Sequence, residues 1–424
     1  MNEIYIEKFG GASVNSAETV RNVASIILTQ NNKRIIVFSA MGKTTNALES
    51  IVKDFYKTKK IKSSLIKQIE DNHLVIIKEL FGDGSKEIES KLKIVIKEIE
   101  ETLIKYKNST INLLYDAIVS YGEIISTLII STYFKCIGIE HILIDARQVI
   151  KTDSNFRGAN VDWRLTKKTI KEQVSPLFKE NQIIITQGYI SSDAKNNPTT
   201  LGREGSDYSA AIFAYFLKAK NVTIWKDVPG LLNADPKIFS KTVKFDKIPF
   251  SEAIELSYYG ASIIHPKTLK PLENKSIPLF VKSFIDPKAS GSVICHCKST
   301  TPNAPSYIFK DNQTLLTLFP KDFSFIVEER ISAIFSIFAQ YGIRINLMQN
   351  SALSFSVCFD LIDQELLYDL IDKLAPNYTV KYNDGLRMIT IRHYNEKAIS
   401  SVIKDEEIII EQRSRVTAQF LVKK

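Results

Sequence analysis

A chain of 424 residues exceeds what one ordinary hydrophobic core organises, so two or three domains are expected. Its 44% hydrophobic content, with charges of both signs throughout, excludes a disordered chain. The 56 basic against 47 acidic side chains give +9, an excess that suits anionic small substrates; the lysines are spread along helical stretches such as 57–67 and 86–97 without an aromatic-interleaved patch, which speaks against nucleic acid.

The N-terminus carries Glu3 where a signal peptide would want a base, and no run reaches ~18 uninterrupted apolar residues, so a cytoplasmic chain without a membrane span is expected. The first predicted strand, residues 4–9, closes in Lys8-Phe9-Gly10-Gly11-Ala12-Ser13-Val14, and a helix follows over 17–28. A Gly-Gly turn offers N–H groups to a phosphate and Lys8 a point charge. The second strand, 34–38, runs into Ser39-Ala40-Met41-Gly42-Lys43-Thr44-Thr45-Asn46. Gly-Lys-Thr imitates a P-loop, but Val37 stands where that motif requires its first glycine. What remains is a set of hydroxyls, Ser39, Thr44 and Thr45, suited to a small polar ligand.

Residues 53–107 read as purely helical and charged, a helical insertion or subdomain. Tyr121-Gly122-Glu123 opens an apolar helix over 124–134 and sets a carboxylate at its start, where it also complements the helix dipole. Further strands at 141–144, 183–187, 222–226 and 278–281 complete an α/β alternation. That rhythm predicts a mainly parallel sheet covered by helices on both faces, with ligands at the carboxyl ends of the strands.

The run Leu201-Gly202-Arg203-Glu204-Gly205-Ser206-Asp207-Tyr208 leads into a helix. Glycines, a helix N-terminus and the Arg203 fork together suit a carboxylate or phosphate. As a plain turn, the same segment would use Asp207 as an N-cap. Trp225 to Lys237 is a strand end entering a long turn with two acids and two lysines, suited to a nucleotide, although Asp-Pro and Pro-Gly also mark plain turns. Cys295-His296-Cys297 is too tightly spaced for zinc and is read as a strand end with incidental thiols; no metal ligand set is assigned.

A polar, proline-containing stretch over 298–305 marks the best domain boundary. Beyond it, strand 315–319, helix 327–341, strands 343–348 and 355–360, helix 365–374 and strand 379–382 give a βαββαβ order. A shorter unit follows: strand 386–392, helix 396–403 and strands 407–412 and 416–422. It reads as a partial repeat without the last helix and strand.

Taken in order, Lys8 to Val14, Ser39 to Asn46, Gly122-Glu123, Gly202 to Asp207, Trp225 to Pro236 and Tyr259-Gly260-Ala261-Ser262-Ile263-Ile264-His265-Pro266 make the chain resemble the aspartokinases, of the amino-acid-kinase fold, over nearly its whole length. The resemblance implies a catalytic domain over 1–297, a small ACT-like βαββαβ domain over 312–384 and a partial second ACT-like module over 385–424. It implies transfer of the ATP γ-phosphoryl, with Mg²⁺, to the side-chain carboxylate of L-aspartate, at the head of lysine, methionine and threonine synthesis.

By the family pattern Lys8 and the backbone of Phe9, Gly10 and Gly11 lie on the transferring phosphoryl, and Asp207 orients Lys8. Ser39, Thr45, Glu123, Arg203 and Ser206 hold the substrate, with Arg203 on its α-carboxylate and Glu123 on its α-ammonium. Lys226, Asp227, Leu232, Asp235, Lys237 and Ser262 surround the nucleotide.

Two positions depart from the pattern: Glu204 replaces a frequent glycine, and Ser262 replaces a lysine of some relatives. His265 needs no general-base role, because a carboxylate acceptor is already ionised at pH 7; it reads as a structural residue before Pro266. The segment Ile345 to Ser351, with Asn346, Met348, Asn350 and Ser351, matches the family's loop for an amino-acid effector, lysine or threonine. There Asn346 does not supply the acid that lysine-sensitive relatives can carry. ACT modules also imply a homodimer or higher homo-oligomer. Two other readings stand at this point: a sibling kinase acting on glutamate, acetylglutamate or uridylate, and a catalytically dead amino-acid sensor.

Overall fold

Short β-branched runs alternate with amphipathic helices through the first of two units, which comprises residues 1–231, 244–254 and 263–302. The computed structural model describes residues 3–423 apart from positions 181, 240, 262, 263, 323 and 362, so Ser262 lies outside the described residues. The main sheet has eight strands: β1 (Ile4–Phe9), β2 (Lys33–Phe38), β3 (Ile142–Ile144), β4 (Ile183–Gln187), β5 (Asn221–Lys226), β6 (Lys247–Pro249), β7 (Leu279–Ser283) and β8 (Ser292–Cys295). Their spatial order is β6-β8-β7-β5-β1-β2-β4-β3. The six from β7 to β3 are parallel, and β8 turns antiparallel to β7. Phe38 and Trp225 are register partners of Phe9, and the rings stack on it at centroid distances of 5.6 and 5.7 Å. Such pairs add about 0.5–1.5 kcal/mol each beyond burial.

Helix α1 (Ala17–Leu28) starts in a capping box between Ser16 and Thr19. Helices α2 (Thr44–Thr58), α3 (Ser63–Phe81), α4 (Lys86–Lys105), α5 (Ile111–Val119) and α6 (Tyr121–Cys136) follow. Residues 53–107 are helical as expected, yet they are no separate subdomain. The apolar stripe of α3 and α4, including Ile66, Ile69, Ile77, Leu92 and Ile99, belongs to the same core as Phe38 of the sheet. Their charges occupy the outward faces, which is what makes the segment look detached in the sequence.

The run Ile111–Cys136 is long and apolar enough to cross a membrane by composition, but its most apolar window is 78% buried inside the protein. Only Ser120 separates α5 from α6, with its N–H on Asp116 O and its carbonyl accepting from Ile124. Glu123 therefore faces no free helix end, and the dipole explanation for it falls.

The second unit comprises residues 232–243, 255–262 and 303–424. Its sheet contains β9 (Ser306–Pro320), β10 (Ile345–Asn350), β11 (Phe355–Asp360), β12 (Tyr378–Arg392), β13 (Glu407–Arg413) and β14 (Thr417–Lys423), ordered β10-β11-β9-β12-β14-β13 with every pair antiparallel. Helices Glu328–Gln340 and Gln364–Leu374 cover one half through Ile334, Phe338, Leu367 and Leu370, packed with Leu316, Phe355 and Phe359. Helix Glu396–Ile403 covers the other half through Ala398 and Ile399 against Ile391 and Phe420.

Here the structure departs from the sequence reading. Residues 379–382 and 386–392 belong to one strand, so the break expected between 384 and 385 falls inside β12. Residues 306–310, left outside any predicted strand, pair with 388–392 and give the partial repeat the strand it lacked. Register shifts between Lys310 and Leu315, with Asn312 and Gly385 at positive φ, let both strands continue through what reads as turn sequence.

Candidate active site

Two loops at the carboxyl ends of β1 and β2 lie side by side. Ser39 N–H donates to Phe9 O and Gly42 N–H to Gly11 O, both at 3.2 Å. A Cβ on Gly11 would stand 2.8 Å from Ala40 O, so this backbone approach requires glycine. Across from them, Lys8 Nζ meets Asp207 Oδ1 at 2.7 Å, with both side chains largely buried. Asp207 sits within the first turn of α7 (Gly205–Leu217), whose N-cap position is held by Glu204; the N-cap expected of Asp207 is not observed.

These groups open on a cavity of about 500 Å³ lined by Lys8, Gly11, Ser39, Thr45, Glu123, Arg203, Ser206, Asp207 and Lys226. All nine were singled out in the sequence. Phe9 is placed differently: its ring is fully buried in the aromatic stack, so only its main chain is available at this site. Asp227 is exposed just beyond β5. Leu232, Asp235 and Lys237 belong to the second unit, where Asp235 Oδ1 accepts from Lys237 N–H at 2.9 Å in a local turn.

The electrostatics of the cavity are uneven. Arg203 is exposed and has no ion pair among the described residues. Glu123 is buried; Oε1 accepts from Ala40 N–H at 3.2 Å, while Oε2 has no hydrogen bond among the described residues. Burial pushes its carboxyl up to about 8, against the Ala40 hydrogen bond and the charge of Lys8. A buried carboxyl oxygen without a donor can take a cation once its proton leaves, and the exposed Arg203 guanidinium lining the same cavity can take an anion. The cavity thus carries the two partners that a zwitterion needs.

Glu204 takes φ 53°, the left-handed region in which glycine is at ease. Its Oε2 accepts from His265 N–H at 2.7 Å, which ties the carboxylate to the start of the helix Pro266–Glu273. His265 Nδ1 in turn accepts from Lys267 N–H at 3.1 Å, the structural role read from the sequence.

Sequence reasoning missed Tyr115, Arg157 and Tyr189, which also line the cavity. Arg157 has φ 69° and stacks its guanidinium 4.1 Å from the centre of the Tyr115 ring. Its N–H donates to Asp116 Oδ2 at 2.9 Å; the same carboxylate accepts from Thr200 N–H at 2.9 Å and from its hydroxyl at 2.7 Å. Burial pushes Asp116 up to about 6, against those bonds. The legible signal was Asp116 itself, a lone acid in the apolar run Ile111–Val119. Tyr189 is held by its N–H on Ser209 Oγ, next to Gly188, where a Cβ would lie 2.5 Å from that of Ser206.

In the second unit, Asn346 Oδ1 accepts from Lys310 Nζ at 3.0 Å, and its Nδ2 donates to Gln313 Oε1 at 2.8 Å and Asp360 Oδ1 at 3.0 Å. Met348 is 51% exposed, Asn350 Nδ2 reaches Ile326 O at 3.5 Å, and Ser351 Oγ meets Ser354 Oγ at 2.7 Å. Asn346 is therefore engaged internally, while Met348 is open.

The amino acid kinase family model matches residues 3–283. Lysine-sensitive aspartokinase 3 of Escherichia coli (strain K12) is 32% identical over 92% of this chain and 87% of its own length. Aspartokinase 1, chloroplastic, of Arabidopsis thaliana is 32% identical over 87% of this chain and 67% of its own. Among solved structures, E. coli aspartokinase III in complex with aspartate and ADP superposes with a TM-score of 0.84 at 29% identity, covering 99% of this chain and 96% of that one. The same enzyme with lysine and aspartate gives a TM-score of 0.80 over the same shares.

Proposed function

We propose that this chain, which belongs to the amino acid kinase family and within it to the aspartokinases, transfers the γ-phosphoryl group of MgATP to the β-carboxylate of L-aspartate, giving 4-phospho-L-aspartate. The observation that carries the reading is the Lys8–Asp207 pair at the head of two interlocked glycine loops, facing a cavity that holds Glu123 and Arg203. A carboxylate acceptor is ionised at neutral pH, so the chain's work is positioning and charge neutralisation. Lys8, fixed by Asp207, and the main chain at Gly10 and Gly11 take the transferring phosphoryl. Arg203 takes the α-carboxylate, Glu123 Oε2 the α-ammonium, and Ser39, Thr45 and Ser206 lend hydroxyls. Lys226 and Asp227 face the nucleotide, with Leu232, Asp235 and Lys237 assigned there by family pattern. Magnesium arrives with the nucleotide as part of the substrate.

With ATP, Mg²⁺, aspartate and hydroxylamine, the protein should form aspartyl hydroxamate. No signal above a Lys8→Ala control would overturn the assignment. A uridylate, glutamate or acetylglutamate panel read by ADP release should be inactive. The reading extends to feedback control by an amino acid at residues 346–351 in a homo-oligomer, with L-lysine, the ligand of the E. coli relative's complex, as the effector to test first. Inhibition assays with lysine, threonine and both, together with light scattering, test it; equal activity with and without each amino acid would reject it.

A further inference from the structure

The first unit holds a second cavity of about 500 Å³ that shares no lining residue with the one above. It is framed by the helix Trp163–Thr169, the π-helix Ile170–Val174 that continues it, and the ends of the helices Gly205–Leu217 and Pro266–Glu273. Its apolar part is aromatic: Trp163, 37% exposed, lies 5.0 Å from Tyr215 and 5.4 Å from Phe216, centroid to centroid. Its rim is cationic, formed by Arg164, Lys167, Lys171, Lys218 and Lys275. Among the described residues no carboxylate lines it and none of these five cations has an ion pair, although Lys275 Nζ lies 5.0 Å from the centre of the Tyr215 ring.

Lysines at helix C-termini ordinarily answer the helix dipole, and Lys218 and Lys275 stand at two such ends. Two dipole ends together offset only about one charge, which leaves several positive charges around one aromatic surface. An apolar occupant would strip water from the cations without replacing it. A bare inorganic anion would leave the exposed part of the indole in water. A mononucleotide answers both, with its base on the ring and its phosphates on the rim, and the volume falls in the range of small-ligand sites. Trp163, Lys167, Ile170 and Lys171 recur at helical spacing, so the helix and the π-turn that continues it present them on one face.

We propose that this cavity is a second nucleotide site, taking a nucleoside di- or triphosphate independently of the catalytic cleft. Equilibrium dialysis of the full chain against ADP should give two ADP per chain. The double variant Lys167→Gln, Lys171→Gln should lose one of them with kcat/KM for ATP unchanged. Trp163→Leu should weaken that same ADP by roughly tenfold or more. Both variants change exposed side chains and leave the core intact. If every bound ADP survives both variants, the proposal is overturned. It is equally overturned if tripolyphosphate empties the second site and Trp163→Leu leaves it unchanged, for the site is then one for inorganic polyanions. ADP lost in the double variant yet retained in Lys8→Ala supports the second site even where no phosphoryl transfer is found.

Discussion

If Glu123 receives the substrate ammonium, aspartate binding is coupled to a proton. With its carboxyl pushed up to about 8 by burial, the group is mostly neutral at pH 7, and ionising it for the ammonium releases the proton. Aspartate affinity should then scale with the ionised fraction, rising roughly 25-fold between pH 6.5 and 8.5 and by about tenfold per unit on the acid side. Initial rates against aspartate at saturating ATP, repeated across that range, measure it. Glu123→Gln should flatten the profile at the weak, acid-side value. The stability sign is opposite. A carboxyl raised above its ordinary 4.5 contributes stability that is present below 4.5 and lost as pH rises through about 8, at roughly 1.4 kcal/mol per unit and about 5 kcal/mol in all. The glutamine variant should therefore melt higher than the parent at pH 8.5 while binding aspartate more weakly. A parent KM that is flat with pH, or a glutamine variant that keeps the slope, would refute the assignment.

Gly11→Ala pushes a Cβ against Ala40 O and Gly42 O, parting the two loops; kcat should fall roughly 100-fold, and near-parental ADP release would reject that geometry. Asp116→Ala orphans the Arg157 and Thr200 donors and should cost on the order of 3–5 kcal/mol in urea unfolding. Asp116→Asn, which keeps an acceptor for both N–H groups, should cost about 1 kcal/mol, and equal losses would count against the network. Arg203→Ala should raise the aspartate KM roughly 10- to 100-fold with little change in the ATP KM, and Arg203→Lys should restore it only in part. Lys310→Met removes the positive charge that bonds Asn346 Oδ1 and neighbours Asp360, and should lower the lysine concentration for half-inhibition severalfold; an unchanged value would place the effector elsewhere.

Much of the site was legible because its chemistry is local. Lys8 with Gly10-Gly11, the hydroxyls after β2, and Arg203 to Asp207 each fall within a few residues at the end of a strand or the start of a helix, where period and turn chemistry can be read. Tyr115, Arg157 and Tyr189 were not legible, because each enters the cavity from a backbone held by a distant partner: Asp116 for Arg157, Ser209 for Tyr189. The state of Glu123 was equally hidden, since nothing in Tyr121-Gly122-Glu123 tells that α5 and α6 leave no free helix end. Glu204 was visible as a departure from the family pattern, but its direction depends on His265, sixty-one positions along the chain. In the second unit, Asp384-Gly385 reads as a turn, whereas paired neighbours carry β12 straight through it.

That continuous strand, bulged at its middle, makes the two halves of the second unit's sheet a single ladder. β9 and β12, 15 residues each, run through both halves of one sheet, and β14 leans on the far half of β12. Trimming the chain after residue 384 would remove the far half of β12 with β13 and β14, leaving Ser306–Lys310 with its ladder partners gone and a bare sheet edge inviting another copy to dock. The C-terminal residues are thus bracing rather than appendage, and a shortened protein should fail first by clumping, before any loss of chemistry is seen.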